Sequence, residues 1–230
     1  MPDSPNVMRG VNPYHVQLTE EKINNKEHRD AVGGLWEELG TLQLNFLKKE
    51  GLLPTHNLLD MGCGSLRGGV KFVEYLDNNK YFGLDINQSL LDAGKIELAN
   101  AGLENKTVNL ANSNCFDASQ FSVQFDCAVA ISLFTHLSVN FIVQCLERVK
   151  SVLAEDGKFY ATFFVVNSKD EFFSSVIQKP GEIKTSHYTD PFHYDLAIIQ
   201  LMADYAGLSL DYIGDWHHPR NQKMCCFSIK

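Results

Sequence analysis

The sequence predicts an α/β fold: a doubly wound, mostly parallel sheet with helices on both faces. Three observations carry this. An apolar run closes on an acid and a glycine turn, Leu58-Leu59-Asp60-Met61-Gly62-Cys63-Gly64-Ser65-Leu66-Arg67-Gly68-Gly69. A second run, Tyr81-Phe82-Gly83-Leu84-Asp85-Ile86-Asn87, closes on another acid. Beyond it, strand-like and helix-like segments alternate to the end of the chain, the pattern of a parallel sheet whose strands are joined by crossover helices.

Residues 11–30 are polar and read as a helical or irregular extension. From Ala31 to Glu50 the apolar spacing turns helical. Leu35, Leu39, Leu42 and Phe46 share one face, Lys48 and Lys49 fall in the last turn, and Gly51 terminates it. Residues 1–50 are therefore expected to form an N-terminal helical extension or lid, and residues 51–230 the main domain. Strand one falls at residues 56–59. A helix through Val70, Val73 and Leu76 leads to strand two. Asn87 suits the cap of the next helix, which carries Leu91, Gly94 and Leu98 and stops near Gly102. A short third strand falls near Thr107–Leu110, and Phe125–Leu133 is the central fourth. Ser138 suits the cap of a helix with Phe141, Ile142, Cys145, Val149 and Val152 on one face. Asp156-Gly157 makes a turn before strand five, Lys158–Val165. A polar loop, Asn167–Asp190, precedes a helix with Ile198, Leu201, Met202 and Tyr205 that ends at Gly207. Leu208–Ile213 and Lys223–Ile229 read as a hairpin around the loop Asp215–Gln222, which makes the last strand antiparallel.

The chain has 230 residues and a net charge of −8. That length buries one sizeable core. The charge, without a basic cluster, argues against nucleic acid as a partner, because phosphate contacts need grouped Lys and Arg. Met1–Gly10 lacks the apolar centre of a signal peptide, and no run reaches membrane-spanning length. The six cysteines include no C-x-x-C pair, which suggests neither a zinc site nor a disulfide framework. A reducing cytoplasm is the expected compartment. Cys225 and Cys226 are neighbours on an alternating strand, so their side chains should face opposite ways.

The glycine loop is a nucleotide cradle: Gly62 and Gly64 permit a tight turn and close approach to a ligand, and the following helix points free N–H groups at it. A dinucleotide loop wants G-x-G-x-x-G, but Arg67 occupies the sixth position. Asp60 would also repel a pyrophosphate. Both features weaken a reading as an NAD-dependent oxidoreductase. The same carboxylate suits a cation such as S-adenosylmethionine (SAM), which carries an ammonium and a sulfonium. Asp85, ending the second strand, is placed to accept ribose hydroxyls.

This pattern resembles the class I SAM-dependent methyltransferases, whose first motif is acid-x-Gly-x-Gly-x-Gly and whose second is an acid ending strand two. The chain departs at the third glycine, where Ser65 reads as a small, tolerated replacement. The resemblance spans about Leu58 to Lys230. It implies a seven-stranded Rossmann-like sheet with an antiparallel last strand, SAM as cofactor and S-adenosylhomocysteine (SAH) as product. It implies a cofactor site of Asp60, Gly62, Gly64, Asp85 and Ile86, with Ile131 along the methionine part. Asn114 and Phe116 fall where adenine binds, with Asp117 as the alternative polar partner. Ala130 is a second candidate lining residue.

Loops leaving the carboxyl ends of parallel strands face the ligand. They hold the acceptor candidates. A hydroxyl acceptor needs a base, and the histidines available are His136, His193, His217 and His218. Arg67 and Arg220 can clamp an anion, and Trp216 can stack on a sugar face. Tyr194 completes the candidate acceptor site. Trp36, with Gly33 and Gly34, reads either as part of a lid or as a core anchor. No metal ligand cluster is apparent; the adjacent His217 and His218 lack the spacing for one.

Together, G-C-G-S-L-R-G-G, L-D-I-N, S-L-F-T-H-L, P-F-H-Y and G-D-W-x-H-P are similar to small bacterial methyltransferases of polysaccharide or specialised-metabolite pathways. That narrower resemblance implies O-methylation of a sugar or sugar-like metabolite. The alternatives are methylation of an amine or of a phosphorylated metabolite, and, in a different class, a non-catalytic SAM-binding module. Oligomeric state is not readable.

Overall fold

The apolar runs and the amphipathic segments between them become the elements of one layered sheet. The computed structural model describes residues 17–230; the readings for residues 1–16 lie outside these. The N-terminal part contains α1 (Glu20–Asn24), α2 (Glu27–Ala31) and α3 (Trp36–Lys49). Then come β1 (Leu58–Met61), α4 (Gly69–Tyr75), β2 (Tyr81–Asp85), α5 (Gln88–Asn100) and β3 (Asn109–Asn112). β4 (Phe125–Ala130), α6 (Val139–Lys150) and β5 (Leu153–Val166) follow. The chain continues through α7 (Lys169–Phe172), β6 (Val176–Gln178), β7 (Ile183–Thr185) and β8 (His193–Asp195). It closes with α8 (Leu196–Ala206), β9 (Leu208–Asp215) and β10 (Lys223–Ile229).

The sheet order is β3-β2-β1-β4-β5-β10-β9. β10 inserts between β5 and β9, antiparallel to both, while β1 to β5 pair in parallel. The seven expected strands are thus present in doubly wound order. An eighth short strand, β8, adds in parallel to the end of β5. The order reverses between β1 and β4, the switch point where open α/β sheets bind ligands. Both faces are covered. Phe159, Phe163, Cys225 and Phe227 belong to one core, against α6 and α8. Tyr160, Met224, Cys226 and Trp216 belong to the other, with Leu47 of α3 and Phe72 of α4. Cys225 and Cys226 therefore do face opposite ways. All six cysteines are unpaired. No helix among the described residues is long and apolar enough to cross a membrane.

Several local expectations change. The first long helix starts at Trp36, not Ala31, because Gly33 (φ +92°) and Gly34 (φ +62°) take left-handed conformations that a helix excludes. Leu35 consequently leaves the apolar face and is exposed. β5 begins before the Asp156-Gly157 turn, which appears as a register shift between Phe125 and Cys127 of β4. Ser138 stands at the cap position of α6, but its hydroxyl turns to Asn140 Oδ1 (2.6 Å). Asn87 does cap α5, accepting from Ser89 N at 3.0 Å. The buried face of α8 is Ile199, Met202, Ala203 and Ala206, and Leu201 and Tyr205 are exposed. The long polar loop after β5 folds into α7, the β6–β7 hairpin and β8.

Candidate active site

A cavity of about 500 Å³ opens at the switch point, within the range of small-molecule sites. Asp60 and Asp85, at the ends of β1 and β2, line it with Gly62 and Ile86, and Ile131 lines it from the end of β4. A crevice of about 40 Å³ shares Gly62, Asp85, Ile86 and Leu133 with this cavity and is lined by Asn114 and Phe116. The sequence reading therefore brought one set of residues to one place. Asp117 is not among them; its carboxylate caps the turn at Ser119 (Oδ1 to N, 3.0 Å).

The glycine loop is shaped by its own carboxylate. Asp85 Oδ2 accepts from Gly64 N at 2.8 Å, and Oδ1 accepts from Asn87 N at 2.8 Å. Gly62 takes φ +72°, which favours glycine, and a Cβ there would come within 2.9 Å of Leu133 Cδ1 and displace that methyl. Counting from Asp60, the third glycine of the family pattern falls on Leu66, not Ser65, and Leu66 has φ +68°. That is the left-handed region that favours glycine. The Leu66 side chain is fully buried among the core residues behind the loop. Ser65 is not a passive spacer: its Oγ donates to His28 O at 3.4 Å.

Asp60 is buried, and Tyr81 Oη donates to its Oδ2 at 2.7 Å. Burial pushes the Asp60 carboxyl up to about 7; the Tyr81 hydrogen bond opposes this, and the nearby Asp85 charge adds to it. A carboxylate raised by burial is relieved by a cation beside it, so Asp60 fits an ammonium or sulfonium. Burial also raises Asp85, against its backbone hydrogen bonds.

Opposite these acids the wall changes character. His136 lines the cavity, and its Nδ1 lies 2.5 Å from Asp190 Oδ1. Asp190 is held beside it by the backbone: Phe192 N donates to Thr135 O at 2.7 Å, and Ser186 N donates to Pro191 O at 3.1 Å. Arg67 and Arg220 also line the cavity, with Gln222, whose Oε1 accepts from Thr162 Oγ1 at 2.7 Å and Ser132 Oγ at 3.0 Å.

The remaining candidates sit elsewhere, for reasons of packing. His193 is fully buried outside the cavity, with Nδ1 2.9 Å from Thr185 Oγ1 and Nε2 2.9 Å from Phe172 O, so both ring nitrogens are engaged. Tyr194 is buried and donates to Leu137 O. Trp216 is core: its indole N–H donates to Gln222 O at 2.9 Å and its ring packs on Phe46 at 5.5 Å. His217 is exposed and does not line the cavity. His218 is buried against Trp216, and burial together with Arg67 and Arg220 lowers it to about 3, so it is neutral and a poor base.

Residues Lys26–Leu35, not marked by any motif, cross the cavity mouth as a strap. Its Val32 and Gly33 line the cavity. Arg67 Nη1 donates to Val32 O (2.7 Å) and Gly34 O (3.1 Å), and Arg220 Nη2 donates to Gly33 O. At the other end Arg29 makes a two-pronged pair with Glu97 (both 2.7 Å), joined by His28 Nε2 at 2.6 Å. Trp36 braces the strap under the Arg29 guanidinium, 4.6 Å from the ring centre, and is not a cavity residue. The Gly33-Gly34 pair was the one sequence signal for it. Asp190 and Gln222 carried none.

Residues 59–159 match the family described as a methyltransferase domain. The fold is shared with magnesium protoporphyrin IX methyltransferase (ChlM) from Synechocystis with bound SAM, at 11% identity over 95% of this chain and 88% of that one, with a TM-score of 0.61. An S-adenosylmethionine-dependent methyltransferase from Clostridium acetobutylicum matches at 12% identity over 91% and 98%, TM-score 0.63. The CcbJ methyltransferase from Streptomyces caelestis matches at 14% identity over 83% and 89%, TM-score 0.63. The match over residues 59–159 and the shared fold together support a transferase of the one-carbon type, EC 2.1.1.

Proposed function

We propose that this SAM-dependent methyltransferase acts on a hydroxyl of a small, sugar-like acceptor, with His136 as the general base. The observation that carries the reading is the His136–Asp190 pair in the wall of the cavity that Asp60 and Asp85 also line. Asp60 and Asp85 hold the cationic and ribose parts of SAM, the crevice at Asn114 and Phe116 takes the adenine, and Ile131 packs along the methionine chain. When bound, SAM supplies a methyl group on a sulfonium, which leaves as a neutral thioether. The chain's own work is alignment and proton removal. The cavity wall would orient the acceptor hydroxyl toward the cofactor, whose methyl group it would receive. His136 takes the hydroxyl proton as the oxygen–carbon bond forms, and Asp190 orients the ring and stabilises the imidazolium. Within residues 1–50, read as a helical extension or lid on residues 51–230, the described strap Lys26–Leu35 shields the site from water. The unpaired cysteines suit a reducing cytoplasm, and the net charge suits a small acceptor rather than nucleic acid.

The test begins with a screen of sugars, nucleotide sugars and amines, read by the mass of one added methylene on the product. With the acceptor found, a base-dependent transfer should lose kcat at saturating SAM on the acid side of the pH profile. His136→Ala should lower kcat by about 10²–10⁴-fold and erase that acid limb. An unchanged acid limb in His136→Ala removes His136 from the reaction. An amine product would favour N-methylation, which needs no such base.

A further inference from the structure

We infer that Arg67 and Arg220 together form a receptor for an acidic group, a carboxylate or phosphate, carried by the methyl acceptor. This deepens the methyl-transfer reading and rests on it. Both guanidiniums line the main cavity. Each spends one terminal nitrogen on the strap carbonyls of Val32, Gly33 and Gly34, which, among the described residues, leaves the rest of each donor fork without a protein acceptor. Among the described residues neither makes an ion pair with a carboxylate. Asp30 lines the same cavity but pairs with neither.

Two cations near one another, Arg67 buried and Arg220 half-buried, with no paired carboxylate, are costly to keep. Burial, then the charge of Arg220, lowers Arg67 to about 10, which still leaves it charged at neutral pH; Asp60 only partly offsets this. His218 adds a second observation. Its Nδ1 accepts from Arg220 N at 3.1 Å, so the ring proton sits on Nε2, and that atom is buried without a partner. Among the described residues that donor has no acceptor; the ring packs on Trp216 near the two guanidiniums, outside the cavity lining, and offers them no counter-charge. A planar fork of this kind matches the oxygens of a carboxylate or phosphate, and the paired geometry matches an anion better than it does a neutral hydroxyl. The cavity thus carries charges of both signs: the acids that end β1 and β2, fitted to a cation, and two arginines, fitted to an anion.

The cofactor's own carboxylate is the other anion of this chemistry, so the test separates the two sources. Wild type is first saturated with SAH, then titrated with D-glucuronate and D-glucose 6-phosphate, with D-glucose as the neutral match. The acidic probes should bind at least about tenfold more tightly than glucose. Arg220→Gln should abolish that preference in protein that can still be saturated with SAH, whose affinity falls only by the several-fold that loss of one strap anchor costs. If Arg220→Gln does not fold, Arg220→Lys keeps the charge and loses the fork; wild-type affinity for the acidic probes in that variant overturns the assignment. No preference for acidic probes in the SAH-saturated wild type also overturns it. So does a loss of SAH binding in Arg220→Gln and Arg67→Gln with 5′-methylthioadenosine binding intact, which would give the arginines to the cofactor. Failure of wild type to bind SAH is a distinct outcome that removes the methyl-donor reading and this inference with it.

Discussion

Asp60 shows how one buried carboxyl makes a cation site sensitive to pH. A carboxyl whose pKa rises on folding favours the folded, ligand-free chain at low pH and weakens it as pH climbs from about 4 to about 7. A bound cation reverses this by favouring the ionised form. SAM affinity should therefore fall as pH drops below about 7, by up to about tenfold per unit. Tyr81→Phe removes the hydrogen bond that holds the pKa down, so the midpoint of that profile should move to higher pH. Calorimetric titration across pH reads it, and an unmoved midpoint would mean that the Tyr81–Asp60 contact does not tune the site. At this scale legibility followed the chemistry of the ligand. That Asp60, Gly62 and Asp85 would line one cavity was readable because a tight turn between a strand end and a helix tolerates few residue types. His193, Tyr194 and Trp216 were misplaced because residue type reports what a side chain can do, not whether its polar atoms are already engaged by Thr185, Leu137 and Gln222.

The strap is the element that most changes how the site works. It is anchored at one end by Glu97 and at the other by the two arginines. Burial acts to raise the Glu97 carboxyl, yet the hydrogen bonds from Arg29 and His28 overcome it and hold the group below its ordinary value. Glu97→Gln should cost about 2 kcal/mol of stability, the worth of a hydrogen bond to a charged group. It should also speed SAM release several-fold and expose the strap to proteolysis. Stopped-flow dissociation separates the two effects: a destabilised variant with unchanged release would show that the strap is a brace and not a gate. Sequence periodicity read residues 31–50 as one helix because the apolar spacing runs through the Gly33-Gly34 break. What the strap contacts lies in α5 and in the C-terminal loop, far along the chain, where no local pattern reaches. The same holds for β6 to β8, whose short segments carry too few residues for a period to show.

For the molecule as a whole, the order of strands was legible and the contents of the acceptor half were not. Alternating apolar runs dictate a parallel sheet, a parallel sheet dictates a switch point, and the switch point places Asp60, Asp85 and Ile131 at one edge. Asp190 and Gln222 reach that edge from loops whose course depends on packing against Thr135 and Trp216. The sheet thereby separates two tasks. On the function proposed above, its first strands would hold the donor, and the glycine loop, late loops and N-terminal strap would bring His136, Arg67 and Arg220 to the acceptor. The claim on which the rest depends is that Asp85 closes a SAM site at the end of β2. Isothermal titration of SAH into wild type and Asp85→Ala tests it directly. Wild type should bind and Asp85→Ala should show no measurable heat of binding, while far-UV circular dichroism stays that of a folded α/β protein. Unchanged affinity in a folded Asp85→Ala would contradict it.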